Sequence, residues 1–278
     1  IELSISIDGD RETHNLNRKS INGKDVYDII FRNMQKLLQR QMPFSVRMTA
    51  TANNVHLLSH NVRYFYELGI RKVNIGMDEL GDWDKKSLQV LDQQLELLDT
   101  YYLEYFANDE DAVLNLYDYK LSTFIFKRRP VYCSAGSKGH LVINSKGEFY
   151  PCGYVANEPL WEEGSVFTSF KRKEFLSTVR THVKKVSSCI DCDIAFTCCG
   201  AKCGFLNFSR TGFLNVNVKT TCNLQRILYN HNVKVFEELY RAYNKKIIKL
   251  LKIAMDEQIP LGEPILQIIE KVEGERGG

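Results

Sequence analysis

Apolar positions between residues 1 and 126 switch repeatedly between two-residue and 3.6-residue spacing, which predicts strands alternating with helices. Ile1 to Ile7 reads as a strand that stops at the turn residues Asp8-Gly9-Asp10. Tyr27 to Leu38 has helical spacing, Phe44 to Thr51 is strand-like, Val55 to Leu68 is helical, and Val73 to Met77 is strand-like again. Helix is predicted over most of Ser87 to Phe106 and Ala112 to Phe126. Parallel strands need crossover connections and antiparallel ones do not, so this alternation predicts an α/β fold with a parallel sheet. No internal repeat is evident.

The pattern changes in the second half. Leu141 to Phe149 reads as a hairpin around Asn144-Ser145-Lys146-Gly147, where Gly147 can take a positive φ. One long amphipathic helix is predicted from about Leu224 to Met255, with Phe236, Leu239, Tyr243, Ile247, Leu250, Leu251 and Ala254 on one stripe. Pro260 and a ragged Gly-Glu-Arg-Gly-Gly end follow it.

Composition is that of an ordinary globular chain, with 44% hydrophobic and 26% charged residues in 278, enough for one large domain or two modest ones. A net charge of +3, with basic residues dispersed among acidic ones, leaves no footprint for nucleic acid. No apolar run is long enough to cross a bilayer and no secretory leader precedes the first strand, so the expected location is the cytoplasm. The chain opens at Ile1 inside a strand rather than at a Met, which predicts a piece of a longer protein.

The cysteines change the picture most. All eight lie between Cys133 and Cys222. Cys133 and Cys152 flank the hairpin, Cys189 and Cys192 form a two-residue-gap knuckle, Cys198, Cys199 and Cys203 crowd after a short spacer, and Cys222 opens the last long helix. In a reducing compartment such a cluster ligates metal rather than forming disulfides. Thiolates suit zinc or iron–sulfur clusters, and four ligands per centre would let eight cysteines serve two sites.

The order Cys133, thirteen residues, Gly147, four residues, Cys152, then Cys189-x2-Cys192-x5-Cys198, Cys203 and Cys222, resembles the seven-cysteine SPASM pattern. That pattern holds two auxiliary [4Fe–4S] clusters. Upstream, Ser4-Ile5-Ser6-Ile7-Asp8-Gly9-Asp10 and Glu12-Thr13-His14-Asn15-Leu16-Asn17-Arg18 resemble the fifth-strand segment of radical S-adenosylmethionine (SAM) peptide and protein maturases. Arg47-Met48-Thr49-Ala50-Thr51-Ala52-Asn53-Asn54 resembles their sixth. The resemblance runs in family order from residue 4 to residue 222. It implies the C-terminal part of a partial (β/α)6 radical SAM barrel over residues 1–126, a SPASM domain over 127–222, and a C-terminal helix and tail over 223–278.

By the same resemblance, Ser6, Asp8, Arg18, Thr51 and Asn53 lie at the cofactor, with Ser6 and Arg18 suited to the ribose and carboxylate of S-adenosylmethionine. His14 is read as structural. Cys133, Cys152 and Cys203 would hold the inner auxiliary cluster, and Cys189, Cys192, Cys198 or Cys199, and Cys222 the outer one. The Cys-x3-Cys-x2-Cys loop of the catalytic cluster is absent from this sequence and is expected upstream. The implied chemistry is hydrogen abstraction from a precursor peptide by a 5′-deoxyadenosyl radical, fed by a reductant such as flavodoxin or ferredoxin. Within the family, sulfatase-maturing enzymes carry Asp where this chain has Gly153, and a further cysteine where it has Gly139. The first departure points to thioether cross-linking of a peptide, and the second leaves one iron of the inner cluster open unless the spare member of Cys198 and Cys199 reaches it. Formylglycine generation is the alternative, and a non-catalytic zinc-binding interaction module is the reading from another class.

Overall fold

The computed structural model describes residues 3–126, 135, 140–171, 189–198 and 203–277. The chain divides into two compact units, residues 1–127 with 227–278, and residues 128–226. Among the described residues no helix is long and apolar enough to cross a membrane.

The first unit is the predicted α/β structure. Strands β1 (Leu3–Ser6), β2 (Phe44–Ala50), β3 (Lys72–Met77) and β4 (Val113–Leu114) form one sheet in the order β1-β2-β3-β4. Every pairing is parallel, with Ile5 opposite Val46, Met48 opposite Ile75, and Val73 opposite Leu114. Helices α1 (Arg11–Asn17), α2 (Tyr27–Gln39), α3 (Leu58–Glu67) and α4 (Lys85–Glu104) make the connections, and α5 (Asp118–Ile125) follows β4. Val46, Met48 and Ala50 alternate into one face of β2 and are buried, together with Phe65, Leu91, Leu95 and Leu98 from the helices. Strand β4 is only two residues long because a side chain continues its pairing: Asn115 donates to Ile75 O at 3.0 Å and accepts from Ile75 N at 2.7 Å.

Three expectations are corrected. Helix was predicted over most of Ala112 to Phe126, yet Val113–Leu114 is strand and helix begins only at Asp118. The single helix predicted from Leu224 to Met255 is two, α7 (Lys219–Arg241) and α8 (Lys245–Asp256). Tyr243 breaks it by adopting φ +51°, and Asn244 caps α8 by accepting from Lys246 N at 2.9 Å. Tyr243, placed on the apolar stripe, is 60% exposed as a result. The expected ragged end is helix α9 (Glu263–Gly277), anchored by buried Ile265, Ile268 and Val272 at helical spacing.

Among its described residues the second unit has short elements. Its hairpin pairs β5 (Val142–Ile143) with β6 (Phe149–Tyr150) antiparallel. Gly147 takes φ +81°, and a Cβ there would press on Val166, so the turn needs glycine for both reasons. Helix α6 (Gly204–Thr211) packs on the short 3-10 turn Gly153–Val155, and Tyr150, Val155, Trp161 and Phe205 form the core between them. Helix α7 starts in this unit and leaves it after Arg226.

Candidate cofactor and metal sites

At the C-terminal end of β1 the chain turns sharply at Gly9, whose φ is +147° and whose position leaves no space for a Cβ against the Asn61 side chain. Asn61 accepts from Asp10 N at 3.1 Å and exchanges hydrogen bonds with the Thr13 hydroxyl. Asp10 then caps α1, accepting from Thr13 N at 2.9 Å. Burial raises the Asp10 pKa, but the Thr13 hydrogen bonds and nearby His60 outweigh it and hold the group below its ordinary value. The turn and cap return α1 so that Arg18, at its end, faces the strand again.

Arg18 meets Asp8 there. Its Nε and Nη2 donate to the two Asp8 carboxylate oxygens at 2.8 and 3.0 Å, a bidentate pair, and Thr49 N also donates to Asp8 at 2.9 Å. The Asp8 side chain is 1% exposed, whereas that of Arg18 is 34% exposed. Nη1 of Arg18 makes no hydrogen bond among the described residues. The fork is therefore fixed along one edge and open along the other, a geometry suited to an incoming carboxylate. Asp8, whose oxygens are engaged, positions Arg18. His14 is fully buried and accepts from Asp8 N at 3.2 Å through Nδ1. Burial pushes its pKa down, and the Arg18 charge adds to this against the opposing pull of Asp8.

The other predicted cofactor residues sit at the same strand ends. Ser6 is exposed on β1. Thr51 follows β2 and forms a reciprocal turn with Asn54: Thr51 N donates to Asn54 Oδ1 at 2.7 Å, and Asn54 N donates to Thr51 Oγ1 at 3.3 Å. Asn53 lies exposed within that turn.

In the second unit, Cys189, Cys192, Cys198 and Cys222 come together. Turns wind the loop, with Ala195 N donating to Cys192 O at 3.0 Å and Cys198 N to Ile194 O at 2.9 Å. Ile194 and Cys198 are buried as its anchor. Burial pushes the Cys222 thiol pKa up, an Asn217 hydrogen bond pulls it down, and Cys198, Cys189 and Cys192 push it up further. Cys198, Cys189 and Cys192 thus each lie within electrostatic reach of Cys222. Among the described residues no three His, Cys, Asp or Glu side chains close on a single-ion site.

Cys152 and Cys203 form a second group. Cys152 caps the 3-10 turn Gly153–Val155, Cys203 caps α6, and both pack against the Tyr150–Val155–Trp161–Phe205 core. Ala135, two positions beyond Cys133, packs on the same core. Cys133, Gly139 and Cys199 lie outside the described residues.

Sequence reading missed the polar residues around the cysteine loop. Asn217 donates to Cys222 Sγ at 2.8 Å, and Arg226 donates to Cys192 Sγ at 3.8 Å and to both Asp193 oxygens at 2.8 and 3.0 Å. The signals were present: Arg226 lies one helical turn after Cys222, and Asp193 directly follows Cys192.

No family model matches the chain. It is 26% identical over 192 residues to a cysteine-type anaerobic sulfatase-maturating enzyme of Clostridium perfringens strain 13, covering 65% of this chain and 50% of that one. The corresponding enzyme of strain ATCC 13124 is 25% identical over 191 residues, with the same shares. The chain therefore spans about half the length of the curated relatives it matches. Among solved structures, native anSMEcpe with bound AdoMet aligns at a TM-score of 0.65 and 19% identity, covering 87% of this chain and 68% of that one. Native anSMEcpe with bound AdoMet and Cp18Cys peptide aligns at 0.64 and 20% identity, covering 90% and 69%. This likeness establishes the α/β fold with its parallel sheet. In sequence the chain is homologous to the cysteine-type anaerobic sulfatase-maturating enzymes.

Proposed function

We propose that this chain is part of a radical S-adenosylmethionine enzyme that modifies a precursor peptide. The observation that supports the reading is that Arg226, one helical turn after Cys222, donates to Cys192 Sγ at 3.8 Å, which brings the helix bearing Cys222 to the loop that carries Cys189, Cys192 and Cys198, an all-thiol donor set suited to iron–sulfur ligation. These four would bind the outer [4Fe–4S] cluster, with Cys199 the alternative to Cys198; Cys133, Cys152 and Cys203 would bind the inner one.

Arg18 would receive the carboxylate of S-adenosylmethionine on its open edge, held in register by Asp8, and the exposed Ser6 hydroxyl would bind the ribose. Thr51 and Asn53 would border the same strand end. When bound, the cofactor supplies the radical that abstracts hydrogen from the peptide. The relatives' solved complexes with AdoMet and peptides support the same substrate pair here. A one-electron donor of the flavodoxin or ferredoxin kind would serve the clusters.

The finer reading is thioether cross-linking at a peptide cysteine. Gly153 supports it, since the position lacks the carboxylate that sulfatase-maturing enzymes place after the hairpin cysteine. Formylglycine generation is the second reading, favoured by the names of the curated relatives. Mass spectrometry of a cysteine peptide after reaction with the full-length enzyme separates them. Two-hydrogen loss with retained sulfur supports cross-linking, and formylglycine supports the second reading. A Cβ added at Gly153 meets nothing within 4 Å, so Gly153→Asp can be made with no clash at its Cβ. Formylglycine from this variant alone would assign the difference to that one position.

A further inference from the structure

We infer that Arg226 and Asp193 form a redox-tuning pair for the outer cluster, with Asn217 as a second donor to its sulfurs; this rests on the iron–sulfur reading of the cysteine loop. Cys222 and Arg226 lie one turn apart on α7, so the guanidinium returns toward the same loop that the thiol faces. It donates to Cys192 Sγ at 3.8 Å and is held there by both oxygens of Asp193. Asn217 donates to Cys222 Sγ at 2.8 Å. Cys222 also occupies the first turn of α7, where the positive end of the helix dipole favours a thiolate.

Each donor is aimed at a sulfur rather than at substrate, so these are positioning residues that act through the cluster. Hydrogen bonds and positive charge at thiolates stabilise the more negative, reduced state and raise a cluster's potential. Asp193 opposes this, because its carboxylate neutralises the guanidinium it holds. The pair therefore predicts shifts of opposite sign. Arg226→Gln removes the positive charge and lowers the potential, whereas Asp193→Asn leaves that charge unbalanced and raises it. The side chains of both residues are more than half exposed, which screens the effect and limits it to about a tenfold change in the reduced-to-oxidised ratio, about 59 mV for one electron.

The test is a potentiometric titration of the anaerobically reconstituted full-length protein, followed by electron paramagnetic resonance, after iron and labile sulfide have been counted in each sample. Opposite shifts in the two variants, with Arg226→Lys close to wild type, support the inference. Fully loaded clusters with unchanged potentials, or shifts of the same sign, overturn it and leave the iron–sulfur reading standing. Wild-type protein carrying zinc and no sulfide overturns both. Should Arg226→Gln fail to hold the outer cluster, the direction of the Asp193→Asn shift decides.

Discussion

The two units solve the same problem, holding a few polar side chains in register, by different physical means. The sheet unit fixes Arg18 through packing: a parallel sheet and the buried residues Ile7 and Asp8 that follow its first strand set the carboxylate, and Asp8 sets the guanidinium. The described strands of the cysteine unit are two residues long, and Tyr150, Val155, Trp161 and Phe205 form a small core cluster beneath Cys152 and Cys203. Apolar burial on that scale stabilises little. Its thiols are thus expected to draw their order from what they bind, since binding free energy at a thiolate site is also folding free energy. A site built by packing persists without its ligand, and one built by ligation does not.

The largest effect expected from this contrast follows removal of iron. Hydrogen exchange on the full-length protein, before and after chelation, should show protection lost in residues 140–171 and 203–226 while β2 and β3 keep theirs. The binding free energy at stake is on the order of 10 kcal/mol by analogy with structural metal sites. Uniform loss across both units, or no loss in either, would break the comparison.

Next in size is Trp161→Ala. Trp161 is buried with its ring edge-on to Phe205 and Phe208, at 5.2 and 5.0 Å between centroids. Its removal is expected to destabilise the cysteine unit by about 3–5 kcal/mol in denaturant unfolding, enough to prevent stable loading of the inner cluster. A fully loaded variant would show that ligation alone organises this unit.

Asp8→Ala sharpens the other side of the comparison. Freed of its bidentate partner, Arg18 should lose its orientation and S-adenosylmethionine binding should weaken by about 10- to 100-fold, the loss of one charge-assisted hydrogen bond worth about 1.5–3 kcal/mol. Calorimetric titration measures this directly. Unchanged affinity would mean that Arg18 is not the carboxylate ligand.

The smallest effect is a pH dependence within the sheet unit. His231 is buried on α7, its Nδ1 2.6 Å from Asp99 and its Nε2 3.0 Å from Asp92. Burial alone would lower its pKa, but the hydrogen bond and charge of Asp99, helped by Asp92 and only weakly opposed by Lys234, raise it above the ordinary 6.5. A raised folded-state pKa contributes stability that is fully present below pH 6.5 and is lost as pH rises through the folded value. Unfolding midpoints should therefore fall on the alkaline side, and His231→Asn should flatten that slope. Equal slopes in both proteins would remove His231 from the account.

Legibility in the sequence follows the same division. Hydrophobic period revealed β2, β3, α2, α3 and α4 because their buried faces are continuous. Strand β4 escaped because half of its pairing comes from the Asn115 side chain, and α1 because a polar cap, Asp10 to Thr13, defines it rather than an apolar stripe. The break before α8 was hidden because Tyr243 is an unusual residue for φ > 0. Cysteine order pointed to both groups of thiols. It did not by itself single out Asn217, Asp193 or Arg226, whose roles depend on which way a loop folds back onto a helix.

The most direct test of the central claim is the metal content of the anaerobically prepared protein. Iron and acid-labile sulfide in equal amounts, near eight of each per chain if both auxiliary sites fill as cubane clusters, together with a brown colour, is the predicted result. A colourless protein with stoichiometric zinc and no sulfide would contradict the account.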